Sequence, residues 1–298
     1  MKPNIWSTFE PPRAMSDPLD DEQIFALSRA LEAEPKNPEH FYARGKRCGE
    51  LGDDVKAIED FNRAIALSPR NPAYYVERGD CYHRQGDTNR CIADENRAIE
   101  LDPYNADYYE RRGNSYVSKR RFDEAVRDYS RALRLAPDNA YYYHLRGGVY
   151  AWKRQREQSI ADCLKAVELD PNCADYYAGL GLAYICEHGL RDDYDGAIEQ
   201  LTRALEIDPN NADFYARRAS SFWQKGQFDA ALADYDRAIE RAPSNANYYW
   251  MRASVYRKKG NEKAALLDLQ AAADRGYAPA KLQLHPVVRF LYTFLRNP

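Results

Sequence analysis

The sequence predicts an all-α fold of stacked antiparallel helix pairs. Two observations carry this. First, Pro69, Pro103, Pro137 and Pro171 stand 34 residues apart, and Pro209 and Pro243 follow after steps of 38 and 34. Gly45, Gly79, Gly113 and Gly147 keep the 34-residue step, as do Phe41, Tyr75, Tyr109, Tyr143 and Tyr177. Second, the fixed positions inside one period recur at helical spacing. In 106–139, Tyr109, Arg112, Gly113 and Tyr116 share one face, and Ala125, Tyr129 and Ala132 share another. Self-similarity at such a period marks a repeat array in which each unit is one supersecondary element.

The elements follow in order. Residues 1–18 hold Pro3, Pro11, Pro12 and Pro18 and no period, and are expected to form a flexible tail. The stack of helix pairs is expected over 19–279. It opens with a capping helix at 20–34, ahead of Pro35, and continues through the repeats 38–71, 72–105, 106–139, 140–173, 174–211, 212–245 and 246–279. Each repeat reads as a first helix, a polar turn and a second helix. Glycine marks that turn at Gly52, Gly86, Gly226 and Gly260. Asp123, Asp195 and Asp229 sit where the second helix is expected to be N-capped. Proline disfavours helix in the residue ahead of it, so each second helix is expected to stop before its proline. Asn37, Asn71, Asn105, Asn139, Asn211 and Asn245 then stand ready to cap the next first helix. A C-terminal cap is expected over 280–298, with short helices near 278–284 and 286–296, because a terminal repeat has an unburied face.

These fixed positions resemble the tetratricopeptide repeat family, whose pattern is W-x2-L-G-x2-Y, then A-x3-F, A and P over 34 residues. The first slot here is always Phe or Tyr, and Arg replaces Leu in six repeats. The resemblance implies an α-solenoid, a right-handed superhelix with a concave groove lined mainly by the first helices.

Six repeats place Arg and Asp 16 residues apart: Arg44/Asp60, Arg78/Asp94, Arg112/Asp128, Arg146/Asp162, Arg218/Asp234 and Arg252/Asp268. The fifth repeat has Leu180 and Gln200 instead, so both members are missing together. This co-occurrence predicts an ion pair in each of the six, within a repeat or across a joint. Tyr74, Tyr108, Tyr142, Tyr176 and Tyr248 are expected to pack at joints between neighbouring repeats. Glu95, in an apolar slot of the second repeat, is expected to turn outward or find a partner, leaving that repeat weaker.

Composition narrows the function. With 43 Lys and Arg against 46 Asp and Glu, the net charge is −3, which offers no basic excess for nucleic acid. No apolar run reaches the roughly 18 residues of a membrane span, and the N-terminus does not read as a secretory signal. Six cysteines at irregular spacing form no paired framework, so a cytoplasmic location with reduced thiols is expected. Cys48, Cys91 and Cys163 fall in core slots as small fillers. No phosphate-loop, zinc-protease or nucleophile-elbow motif occurs. Cys173, Cys186, His188 and Asp192/Asp193, around a four-residue insertion, do not form a metal-ligand spacing. Neither a metal, a cofactor nor an enzyme is expected.

Function in a repeat scaffold must be argued from its surface. The groove slots implied by the family are polar and mixed in sign in the first three repeats, for example Lys46, Asp80, Glu110 and Asn114. In the later repeats they hold Tyr141, His144, Trp152, Leu182, Ile185, Trp223 and Trp250. Exposed tryptophan often marks a binding hot spot, so Trp152, Leu182, Ile185 and Trp223 are expected to line an apolar trough; packing on neighbouring first helices is the competing reading. Some family members clamp a partner's C-terminal carboxylate. The corresponding slots here, Tyr42, Lys46, Glu77, Asp107 and Arg111, do not carry that set. The apolar stretch from Pro286 to Leu295 is expected to pack as a cap, with a homodimer through this helix as the alternative. The expected function is a non-enzymatic scaffold or adaptor that takes a partner's peptide or helix in its groove. The alternatives are a chaperone-type holder of apolar clients and a non-catalytic subunit of an enzyme complex.

Overall fold

The computed structural model describes residues 21–185 and 192–284. The expected tail at 1–18, the pair Cys186 and His188, and the expected closing helix at 286–296 lie outside the described residues. All sixteen helices of the described residues are α-helices. The chain divides after Pro137 into two compact units. Unit 1 holds α1 (Glu22–Ala33), α2 (Pro38–Glu50), α3 (Asp54–Leu67), α4 (Pro72–Arg84), α5 (Thr88–Leu101), α6 (Ala106–Ser118) and α7 (Phe122–Leu135). Unit 2 holds α8 (Ala140–Trp152), α9 (Arg156–Leu169), α10 (Ala174–Tyr184), α11 (Tyr194–Ile207), α12 (Ala212–Gln224), α13 (Phe228–Arg241), α14 (Ala246–Lys258), α15 (Glu262–Asp274) and α16 (Ala278–Leu284). Within each unit every helix packs most on its chain neighbours, which makes each unit a solenoid of helix pairs.

Local chemistry sets the helix ends. All six asparagines at the joints are N-caps whose side chains accept a backbone N–H of the following first turn. Cys173 takes that place before α10 and makes no side-chain cap bond. The second helices correct one expectation. Their caps are Asp53, Asp87, Asp193 and Asn261, whereas Asp123, Asp195 and Asp229 lie inside the first turn. A carboxylate there still suits the positive end of the helix dipole. Asp195 and Asp229 also receive the ammonium groups of Lys225 and Lys259 from the next repeat. Arg84 reaches Asp54 in the same way at 2.9 Å. The turn inside a repeat needs a left-handed residue. Gly52, Gly86, Gly226 and Gly260 supply it, with φ between 74° and 87°, and Arg120 and Arg154 adopt φ of 58° and 57° without that freedom.

The six Arg–Asp pairs form the frame of the helix pairs. The sequence leaves open whether they close within a repeat or across a joint, and the structure corrects the second alternative. Arg44 with Asp60, Arg78 with Asp94, Arg112 with Asp128, Arg146 with Asp162, Arg218 with Asp234 and Arg252 with Asp268 each join the two helices of one repeat. In each, Nε and Nη2 of the arginine donate to both oxygens of the aspartate at 2.6–2.8 Å. Asp60, Asp94, Asp128, Asp162, Asp234 and Asp268 are all buried, with 4–7% of their surface exposed. These six carboxylates are therefore closed off inside the repeats and present nothing for a partner to touch. They belong to the frame and not to a surface site.

The remaining Nη1 also crosses the joint. Arg44 donates to Ser28, Arg78 to Asn62, Arg112 to Asn96, Arg218 to Thr202 and Arg252 to Asp236, each 16 residues earlier. One side chain therefore ties its own second helix to the preceding one. Its guanidinium also lies near the rings of its own first helix, 5.8 Å from Tyr109 and from Tyr116 for Arg112. Tyrosine closes the joint further, with Tyr75, Tyr109 and Tyr249 donating to the carbonyls of Pro69, Pro103 and Pro243.

Two repeats depart from this plan. In the fifth, Leu180 is buried in the arginine slot and half-buried Gln200 holds the aspartate slot, so the repeat does without the ion pair. In the second, Glu95 occupies the slot where Phe61, Tyr129 and Tyr235 fill the core. It does not turn outward. It is 6% exposed, Ser115 donates to its Oε1 at 2.9 Å, and Oε2 is buried with no partner. Desolvation pushes its carboxyl up to about 7, against lowering by the Ser115 hydrogen bond. Cys48, Cys81, Cys91 and Cys163 are buried thiols, and burial pushes Cys91 up to about 12.

Candidate partner-binding site

The first-helix faces of the two units differ in kind. In unit 1 the charged side chains find one another. Lys46 on α2 lies 3.6 Å from Glu77 on α4, and Arg111 on α6 holds both oxygens of Asp80 on α4 at 2.6 and 2.8 Å. Tyr74 donates to Glu39 at 2.5 Å, Asn114 to Glu110 at 2.7 Å, and Tyr129 to Asn114 at 2.5 Å. The Tyr42 ring packs on Tyr74 at 5.1 Å under the Lys46 ammonium. Desolvation, with Glu77 and Glu39 nearby, pushes the Tyr42 hydroxyl up to about 12.

Unit 2 carries aromatic and aliphatic groups in the same slots. Tyr141 is half-buried, 6.4 Å from Tyr142. His144 packs against Tyr176 with ring centroids 5.2 Å apart and the planes tilted, and its ring also approaches α10 closely at Gly179. A Cβ on Gly179 would stand 2.9 Å from the ring. The His144 Nδ1 is buried without a partner. Desolvation, and then the charge of Arg217, push its pKa down to about 4, so the ring is neutral at pH 7.

The tryptophans divide. Trp152, at the end of α8, is 43% exposed, and Leu182, near the end of α10, is 37% exposed. Ile185, the C-cap of α10, is half-buried. Trp223 is half-buried against the cluster of Ala219, Ala231, Tyr235 and Val255. Trp250 is half-buried 5.6 Å from Tyr277. The Nε1 atoms of both are buried and meet no acceptor among the described residues. Trp152 and Leu182 thus present apolar surface, while Trp223 and Trp250 are seated partly in the core. Gly148, on the same face of α8, leaves open space: a Cβ there would meet nothing within 4 Å.

Arg217 on α12 is not among the groove residues named from the sequence, although it holds the same slot as Glu77 and Arg111. The signal that could have found it is a charge comparison of that slot between neighbouring repeats. Among the described residues no set of three or more His, Cys, Asp and Glu is placed to hold a metal ion, and no helix is long and apolar enough to cross a membrane.

Tetratricopeptide repeat models match residues 72–105 and 140–173, and 216–280; a related TPR repeat model matches 45–86, 113–152 and 190–226. The chain belongs to the tetratricopeptide repeat family. No curated protein matches it. Among solved structures, a tetratricopeptide repeat protein from Parabacteroides merdae is 20% identical with a TM-score of 0.69, over 87% of this chain and 99% of that one. Yeast Tom70 is 16% identical with a TM-score of 0.63, over 92% of this chain and 58% of that one. The Cut9 and Hcn1 hetero-tetramer of the APC/C gives 16% identity and a TM-score of 0.63, over 88% of this chain and 52% of that one. At these identities the likeness shows the fold alone. The tetratricopeptide repeats make this chain a protein-interaction scaffold in general terms, in a family that is typically non-catalytic.

Proposed function

We propose that this tetratricopeptide repeat protein is a non-enzymatic adaptor that seats a segment of a partner protein on the first-helix face of unit 2. One observation carries the reading. The unit 2 face leaves Trp152 and Leu182 exposed beside the open space at Gly148, whereas unit 1 fills corresponding slots with charges that satisfy each other. Apolar side chains held at a surface are favourable to cover, and aromatic anchors dominate interface energy. Tyr141, His144, Trp223 and Trp250 support the platform from below and beside it.

The test is a paired capture from lysate with the full chain and with Trp152→Ala, after circular dichroism and a melting curve show equal folding. A protein kept by the wild-type chain and lost from the variant supports the adaptor reading. Many apolar clients, all reduced together, would shift it to a holder of unfolded chains. Equal recovery on both baits would place the site elsewhere.

A further inference from the structure

The first helices of unit 1 carry a charge ladder. Arg111 on α6 reaches back to Asp80 on α4, 31 residues earlier, and Glu77 on α4 pairs with Lys46 on α2. Each rung joins the sixth slot of one repeat to the ninth slot of the repeat before it. Unit 2 keeps one half of such a rung. Arg217 holds the sixth slot of its repeat, and the ninth slot of the preceding repeat is Leu182. Among the described residues the Arg217 guanidinium makes no ion pair and no hydrogen bond. The nearest carboxylate along its own helix, Asp213, one turn earlier, accepts the hydroxyl of Tyr248. His144 adds no countercharge. Arg217 is half-buried, and Leu182 is exposed.

Resting on the adaptor reading above, we propose that unit 2 recognises an acidic segment of its partner, in which an Asp or Glu carboxylate takes the vacant rung at Arg217 while an adjacent apolar side chain lies on Leu182 and Trp152. The partner thereby supplies what Asp80 supplies to Arg111 within unit 1. Guanidinium suits this role, since its fork meets a carboxylate with paired hydrogen bonds. A half-buried rung is also screened less than a surface charge.

The experiment uses the full chain as bait for a library of displayed random linear peptides, followed by fluorescence anisotropy on the enriched sequences. Enriched peptides should carry Asp or Glu at a fixed offset from an apolar residue. Arg217→Ala should weaken the best of them about tenfold or more, with the melting temperature little changed because no ion pair or hydrogen bond of the guanidinium among the described residues is lost. Arg217→Glu should instead prefer the same peptide with its acid replaced by Lys. Leu182→Asp should fill the rung from within, as Asp80 does, and also abolish binding of the acidic peptide. Peptides without acidic preference, or acidic peptides indifferent to Arg217→Glu, overturn this proposal. If those peptides still lose affinity with Trp152→Ala, the adaptor reading stands without it. Enrichment of no sequence counts against both. Sedimentation of the chain alone tests a second copy as occupant. A dimer that dissociates with Arg217→Glu overturns the proposal in favour of self-docking.

Discussion

Unit 1 and unit 2 use the same helix pairs and the same Arg–Asp frame, yet finish their first-helix faces in opposite ways. Unit 1 turns its polar groups on one another, through Asp80 with Arg111, Lys46 with Glu77 and Tyr74 with Glu39. Unit 2 offers exposed Trp152 and Leu182 and, in Arg217, a first-helix arginine that pairs with no carboxylate among the described residues. The cores differ in the reverse sense. Unit 1 buries the partly satisfied Glu95, and unit 2 contains the repeat that replaces an ion pair by Leu180. A repeat protein keeps its joints fixed and varies its faces, so the lesson is that a vacant surface slot is informative only against a filled one.

The largest expected effect breaks the shared frame. Arg112→Leu leaves Asp128 buried without its partner and should cost about 3–5 kcal/mol in denaturant unfolding. The double substitution Arg112→Leu with Asp128→Leu should cost clearly less than the sum of the two single changes, because it leaves no buried charge without its partner. Strict additivity would show that the pair contributes nothing as a pair.

Glu95 sharpens the contrast between the cores. Its folded pKa stands at about 7 against an ordinary 4.5, so the folded chain keeps a proton that the unfolded chain has lost. The stability of unit 1 should therefore be fullest below the unfolded value and decline as pH rises through about 7. The total swing should be about 3 kcal/mol. Glu95 is faced by Asp80 from α4, Arg111 and Arg112 from α6 and Cys91 on its own helix, so the reference must keep all of them. Glu95→Gln is that reference. The difference in unfolding free energy between wild type and this variant should change with pH across that window, and a flat difference would contradict the burial argument.

The surface changes are smaller in the fold and larger in binding. Trp152→Ala should alter stability by less than about 1 kcal/mol, since the ring is 43% exposed, while lowering partner affinity about tenfold or more. Gly148→Leu adds a side chain where nothing stands within 4 Å. It should raise stability slightly, by about 0.5–1 kcal/mol from helix propensity, and still block the partner. Loss of stability in this variant would mean that the space is not open.

The helix pairs were legible in the sequence because their determinants recur. Proline stops, asparagine caps and the Arg–Asp spacing each repeat with the period, so one correct repeat explains the next. The ion pairs could be read from Leu180 and Gln200 standing together where the fifth repeat lacks both members. That Asp60, Asp94, Asp162, Asp234 and Asp268 would each be buried within their own repeat could not, because a 16-residue spacing fits either side of a joint. Nor could the third bond by which an Nη1 crosses that joint. The cap role expected of Asp195 and Asp229 falls inside the helix instead, because the first turn and the cap both favour a carboxylate. The fate of Trp223 and Trp250 was not legible, since slot position says which way a side chain starts and not how deeply neighbours cover it. Arg217 was hidden for a further reason. Its vacancy appears only when slots of adjacent repeats are compared across the insertion.

The most direct test is to measure the affinity of one captured partner segment for two double variants of the full chain. Trp152→Ala with Leu182→Asp alters unit 2, and Asp80→Asn with Arg111→Gln alters unit 1. The account predicts that the first loses binding about a hundredfold and that the second binds within about twofold of wild type. Loss confined to the unit 1 variant, with unit 2 indifferent, would contradict it.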